Sequence, residues 1–222
     1  MNQMDITGHK WITNMKRITR ITRIIMVCMM TLATMTATAQ GTQTARKVLD
    51  KTASVVGRKG GASANFKITS AKYGNTSGTI AIKENKFHAT TPDAIVWFDG
   101  KTQWSYMKST DEVNVTTPKE SQLAAMNPYL FITMYKTGFN MDMKTFNGYY
   151  QVHLTAQDKK RSVQEMYINI NKTTYVPSQV KMRQGTTWTT INISNFQAKN
   201  QPNNIFSFNA KDFPQAEVID LR

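Results

Sequence analysis

Cysteine, histidine and acidic residues are all scarce in this chain of 222 residues. A single cysteine, Cys28, excludes a disulfide framework. The sequence contains no Gly-rich phosphate loop, no metal-spaced His/Asp/Glu cluster and no nucleophile elbow. His88 and His153 occupy polar positions of two distant strands, which is typical of solvated or hydrogen-bonded histidines. We therefore expect a protein without catalytic activity, metal or cofactor.

No apolar run of this chain has the length of a membrane span. The run from Ile24 to Leu32 is roughly half of the ~20 residues that a transmembrane helix requires. Basic residues precede it and the small residues Ala37-Thr38-Ala39 follow it, which is the pattern of a secretory signal peptide. We expect residues 1–39 to be removed, with residues 1–14 as an upstream start, and residues 40–222 to form one exported domain.

Acids are outnumbered by basic residues, with 14 Asp and Glu against 28 Lys and Arg and a formal charge of +14. Removal of residues 1–39 takes away five basic residues and one acid, which leaves +10. Dispersed basic residues on an exported chain argue against nucleic-acid binding. Two interpretations stay open: a solvated surface, and attraction to anionic lipid headgroups of up to about 1 kcal/mol per basic residue.

Two hydrophobic periods divide the exported part of the chain. Apolar residues at three- and four-residue spacing predict an amphipathic helix from Thr44 to Val56. A second predicted helix starts at Pro128, inside a Met-rich segment, Leu123–Met143, that suits a movable lid. The remainder alternates with a period of two and predicts about ten antiparallel strands, the last at Ile205–Phe208 before an irregular tail.

The stretch Ile95–Tyr106, IVWFDGKTQWSY, carries the strongest hairpin signal, an Asp-Gly pair between two runs of β-branched and aromatic residues. A two-residue loop at Asp99-Gly100 or Gly100-Lys101 places four large side chains on one face: Ile95, Trp97, Trp104 and Tyr106. Such a face is usually core. Two short helices cannot cover about ten strands tightly, so we expect either a sandwich or barrel, or a lidded apolar hollow with this face as its wall.

In its motifs and their order the chain resembles the outer-membrane lipoprotein carrier proteins of the periplasm, the LolA-like family. The matching stretches are ASANFKIT at Ala62–Thr69, GTIAIKENKFHATTP at Gly78–Pro92, the Asp-Gly-Lys-Thr-x-Trp-x-Tyr of Asp99–Tyr106, INISNFQAKNQPNNIFSFN at Ile191–Asn209 and FPQAEVID at Phe213–Asp220. The resemblance implies a mainly β fold, an unclosed antiparallel barrel or strongly curved sheet with helices lidding its concave apolar face.

The same resemblance implies a monomeric, non-catalytic periplasmic carrier. It would take the acyl chains of lipoproteins from an inner-membrane lipoprotein-releasing transporter and deliver them to an outer-membrane acceptor. One departure stands out: well-characterised members carry an Arg-Pro that fastens the lid, whereas Ile82–Phe87 reads Ile-Lys-Glu-Asn-Lys-Phe. Other contacts must then close the lid of this protein.

The acyl-binding residues that we predict come from the apolar sheet face and the Met-rich lid: Phe66, Ile68, Ile80, Ile82, Phe87, Ile95, Trp97, Trp104, Tyr106, Met126, Leu130 and Met134. The alternative is a lipid- or lipoprotein-sensing domain of the same fold, or another exported β-rich interaction module, whose aromatic residues would lie exposed. An enzyme is a more distant alternative, since it would need a polar cluster inside the cavity.

Overall fold

The computed structural model describes residues 41–71, 74–119 and 134–222 of the protein. Within these ranges, residues 41–56 are helical (α1) and end at Gly57, as the periodicity predicts. Twelve strands follow: β1 Ala62–Ser70, β2 Gly74–Lys83, β3 Lys86–Thr90, β4 Ala94–Phe98, β5 Gln103–Met107, β6 Glu112–Thr116, β7 Phe139–Thr145, β8 Tyr149–Ala156, β9 Glu165–Asn171, β10 Pro177–Gln184, β11 Thr187–Gln197 and β12 Glu217–Asp220. The predicted signal peptide and the predicted helix start at Pro128 lie outside the described residues.

All of these strands belong to one sheet, in the order β12-β6-β5-β4-β3-β2-β1-β11-β10-β9-β8-β7. Every described pair is antiparallel except β12 with β6, which is parallel. Because β12 and β7 end the sheet without pairing with each other, the described barrel is not closed. The predicted mainly β, unclosed and curved sheet is confirmed. It has twelve strands instead of about ten, because β7 occupies part of the Met-rich segment and β12 replaces the predicted irregular tail.

Helix α1 packs on one side of the sheet, which we call the inner face. Its buried residues Ala45, Val48 and Leu49 belong to the same core cluster as inward residues of β7–β11. The hydroxyl of Tyr135, which is fully buried, donates to the carboxylate of Asp50 on α1. Burial first, and then this hydrogen bond, raise the pKa of Tyr135. These contacts hold α1 on the inner face.

The hairpin of β4 and β5 has the pairing predicted for a loop at Gly100-Lys101. Ile95 lies opposite Tyr106 and Trp97 opposite Trp104, so the four large side chains share one face. The strands end at Phe98 and Gln103, and the backbone N–H of Asp99 still donates to the backbone oxygen of Thr102 at 3.2 Å. The backbone N–H groups of Lys101 and Thr102 donate to the Asp99 carboxylate at 2.8 and 2.7 Å, and these hydrogen bonds stabilise the turn.

The opposite side of the sheet, the outer face, is covered at β3–β5 by residues 198–216, which we call the C-terminal arm. Two short 3₁₀ helices lie in it, η1 Asn203–Phe206 and η2 Ala210–Asp212, and η1 packs against β3 and β4. The ring of Phe213 lies 5.5 Å from Trp97 and 4.7 Å from Tyr106. The predicted last strand at Ile205–Phe208 is wrong, because these apolar residues anchor the arm onto the sheet face and form no ladder.

Two strand histidines, His88 and His153, have partners on the outer face. His88 stacks on Trp97 at 5.6 Å, and burial lowers the pKa of its imidazole. The ring nitrogens of His153 lie 3.1 Å from the carboxylate of Asp142 and 3.0 Å from that of Glu165. Burial tends to raise the pKa of Glu165, but its hydrogen bonds outweigh burial and lower it. These contacts link β7, β8 and β9.

Stability should depend on the C-terminal arm. Phe206 of η1 is only 1% exposed, so Phe206→Ala should lower the free energy of unfolding by about 3–5 kcal/mol through lost burial and cavity formation. Phe146→Ala is the matched control, because Phe146 is 39% exposed and should cost about 1 kcal/mol or less. Urea unfolding followed by circular dichroism measures both. Equal losses in the two variants would show that the arm does not stabilise the sheet.

Candidate functional site

A cavity of about 260 Å³ lies on the inner face of the sheet, beside the C-terminal end of α1. Its walls come from β1–β4, from β10 and β11, and from the last turn of the helix. Four of the lining residues are polar: Ser63, Asn65, Thr76 and Thr91. The other lining residues are apolar: Val56, Ala62, Ala64, Phe66, Ile68, Ile80, Ile82, Phe87, Ala89, Val96, Pro177, Val180, Ile191, Ile193 and Phe196.

In the described part of the chain, the cavity lies where α1 ends and where inward side chains become small. α1 ends at Gly57, and Val56 in its last turn packs against inward residues of β1–β3. Several inward positions of these strands carry alanine or glycine, including Ala64, Gly78 and Ala89. A Cβ on Gly78 would lie 3.0 Å from the ring of Phe66 and 2.0 Å from a backbone oxygen of β3. Glycine therefore lets the Phe66 ring lie close against β2.

Apolar burial is the chemistry that this cavity offers. Among the described residues, none of those that line it is charged. Lys83 follows the lining residue Ile82, but its Nζ donates to the backbone oxygen of Gln201 at 2.9 Å. In residues 41–71, 74–119 and 134–222, no three or more His, Cys, Asp or Glu side chains are grouped to hold a metal ion. A ligand in the cavity would be held through its apolar surface.

Five of the predicted acyl-binding residues line the cavity: Phe66, Ile68, Ile80, Ile82 and Phe87. Four others, Ile95, Trp97, Trp104 and Tyr106, lie on the outer face, and the cavity wall of β4 is Val96. The hairpin face that we expected to be cavity wall thus lies on the opposite side of the sheet, where Trp97 and Tyr106 contact aromatic residues of the C-terminal arm. Alternation groups residues by face, but both faces of β4 are apolar, so the pattern does not identify the inner one.

The predicted lid residues are only partly accounted for. Met126 and Leu130 lie outside the described residues. Met134 is partly buried against the core cluster of α1 and β7–β11 and does not line the cavity. Met141 and Met143, two methionines of the segment predicted as a lid, belong instead to strand β7.

Sequence reasoning missed the cavity residues of α1, of β10 and β11, and the small residues of β1 and β3. Ile191 and Ile193 on β11 alternate in the inward phase, and pairing places them opposite Ile68 and Phe66. The alternation of β11 would have identified Ile191 and Ile193 as cavity residues if the pairing of β11 with β1 had been known. Ala64 and Ala89 gave no hydrophobic signal, because a small side chain forms a cavity by leaving space.

Three comparisons place the chain among known proteins. A family model described as outer membrane lipoprotein carrier protein LolA matches residues 35–186. An uncharacterized conserved protein from Thermus thermophilus is similar in structure, with a TM-score of 0.55 and 10% identity over 80% of this chain and 99% of that one. A LolA superfamily protein from Nitrosomonas europaea has a TM-score of 0.42 and 12% identity over 74% and 97%. No curated protein matches the sequence.

The Thermus likeness supports the fold alone, since sequence identity is low. One further property bears on membranes: among the described helices, none combines the length and the apolar character needed to cross a bilayer. The family match and the apolar cavity are therefore the two observations that bear on function.

Filling the cavity should weaken binding of an apolar probe. Ala89→Phe puts a ring into the space between Ile80 and Val96, and we expect the affinity for a fluorescent apolar dye to fall about tenfold, equivalent to ~1.4 kcal/mol of lost burial. Thr79→Phe is the matched control, because Thr79 is exposed on the outer face of β2. Dye titration measures both variants. A loss of similar size in both would place the dye site elsewhere.

Proposed function

Since this chain belongs to the outer membrane lipoprotein carrier protein (LolA) family, we propose that it binds acyl chains of lipoproteins in its apolar cavity and carries them from the inner to the outer membrane. The carrier performs no chemistry on its cargo. It takes cargo from an inner-membrane transporter and delivers it to an outer-membrane acceptor. Both the location in the periplasm and the removal of residues 1–39 are parts of this proposal.

The observation that carries the proposal is a cavity whose lining is almost wholly apolar and contains no charged residue among those described. A lipoprotein cannot cross an aqueous compartment with its acyl chains in water, because each exposed CH₂ costs about 0.8 kcal/mol. A curved sheet with an apolar cavity beside the end of α1 offers a place for such a chain. An exposed aromatic face, expected of an interaction module, fits less well, since Trp97 is 7% exposed under the C-terminal arm.

The size of the cavity bounds what it can hold. A protein cavity of about 150 Å³ accommodates benzene, with six carbons, so 260 Å³ corresponds to about ten methylene-sized groups. A longer acyl chain must extend past the cavity or displace part of its cover. Net apolar burial of about ten groups, at ~0.8 kcal/mol each, is ample for a carrier that must also release its cargo.

Chain length should therefore control affinity up to a limit. For saturated fatty acids from six to about ten carbons, each added CH₂ should raise affinity about fourfold, equivalent to ~0.8 kcal/mol, because each occupies cavity wall. Beyond about ten carbons the increment should shrink. Calorimetric titration of the mature protein, residues 40–222, measures the series. A constant fourfold gain through eighteen carbons would mean that the protein holds chains in a larger hollow.

The direct test of function is the ligand that the exported protein carries. Protein purified from the periplasm should retain acylated species in native mass spectrometry, since the cavity protects a chain from water. The Ala89→Phe variant should retain much less than Thr79→Phe, which leaves the cavity unchanged. Depletion of the protein should leave lipoproteins in the inner membrane. A ligand-free native spectrum together with normal lipoprotein sorting would overturn the proposal.

A further inference from the structure

The inner face of the sheet changes from apolar to polar at β5, immediately beside the cavity. Ser105 lies opposite Val96, which lines the cavity, and Gln103 lies opposite Phe98. β6 continues the change on the next strand. Directly opposed residues of an antiparallel pair share a face. Four inward side chains therefore form what we call the polar row: Gln103, Ser105, Asn114 and Thr116.

Gln103 is the buried member of the polar row and is only 6% exposed. Its Nε2 donates to the Ser105 hydroxyl at 3.0 Å. Its Oε1 is buried and has no hydrogen-bond partner among the described residues. Buried amide oxygens nearly always have a donor, because an unpaired one has lost its hydration without replacement. A sheet face that simply meets solvent would leave this oxygen accessible to water.

We infer that the polar row is a headgroup subsite, which binds a neutral headgroup carrying hydroxyl or amide N–H donors while the attached acyl chain occupies the cavity. The inference rests on the proposed function. A donor on the headgroup would satisfy Gln103 Oε1, and the hydroxyl and amide groups of Ser105 and Asn114 can both donate and accept. No member of the row is charged, so the row suits glyceryl hydroxyls or peptide amides better than phosphate.

The position of the row agrees with an amphipathic ligand. Val96 of the cavity wall and Ser105 of the row are directly paired across β4 and β5. Directly opposed side chains in a sheet have Cβ atoms about 4.5–5.5 Å apart, the separation of a few bonds. A headgroup joined to an acyl chain can therefore reach the row without strain. The row orients the ligand, and the cavity supplies the affinity.

The test uses three probes that share a ten-carbon acyl chain. Methyl decanoate has no donor, monodecanoylglycerol has hydroxyl donors, and N-decanoylglycinamide has amide donors. The mature protein should prefer at least one donor-bearing probe over methyl decanoate by about tenfold in calorimetric titration. Which of the two is preferred tells whether the row suits a glyceryl or a peptide headgroup. Equal affinity for all three probes would overturn the headgroup subsite.

Gln103→Leu is the decisive variant. It should reduce the preference to less than about twofold while changing methyl decanoate affinity little. It should also raise the melting temperature of the ligand-free protein, because it removes a buried unpaired acceptor. Gln151→Leu is the matched control on the outer face of β8, and it should keep the preference. If Gln103→Leu keeps the preference, the subsite is overturned. If wild-type protein binds no probe at all, the acyl cavity itself fails.

Discussion

Strand β4 is buried on both of its faces, and the other layers of the protein are arranged around that constraint. Val96 and Phe98 point to the inner side, where Val96 meets the cavity, while Ile95 and Trp97 point to the outer side. A strand with two apolar faces needs a layer on each side of the sheet. Helix α1 and the inward residues of neighbouring strands supply one layer. The C-terminal arm supplies the other, through aromatic contacts with Trp97.

The apolar surface thus changes sides along the sheet. From β7 to β11 the outer face is polar, with His153 held between two carboxylates, and the core lies on the inner face under α1. At β5 and β6 the outer residues Val113 and Val115 are buried instead. The cavity lies between these regions, where the helix has ended and Ala64 and Ala89 leave space. The position of the cavity therefore follows from where α1 covers the inner face and where the C-terminal arm covers the outer face.

Periodicity and turn signals predicted the sheet, α1 and the shared face of the hairpin, because those depend on neighbours along the chain. They could not predict which face of Ile95–Phe98 is inner, since a run of four apolar residues has no alternation to read. That assignment depends on the C-terminal arm, which arrives more than a hundred residues later through Phe208 and Phe213. The parallel pairing of β12 with β6 is equally non-local. Consequently five predicted cavity residues line the cavity, whereas four hairpin residues lie on the outer face.

The arm also explains how the sheet can have an amphipathic inner face. In most sheets covered on one side, the inner face of every strand must be apolar to form the core. Here β5 and β6 place their apolar residues, among them Trp104 and Val113, on the outer face under or beside the arm. Their inner positions carry the polar residues Gln103 and Ser105 directly beside the apolar cavity wall. The proposed carrier would gain from this division, because apolar burial alone would bind any lipid of similar length. Hydrogen-bonding groups next to the cavity would let the protein distinguish cargo by headgroup while the arm, on the far side of the sheet, keeps those strands stable.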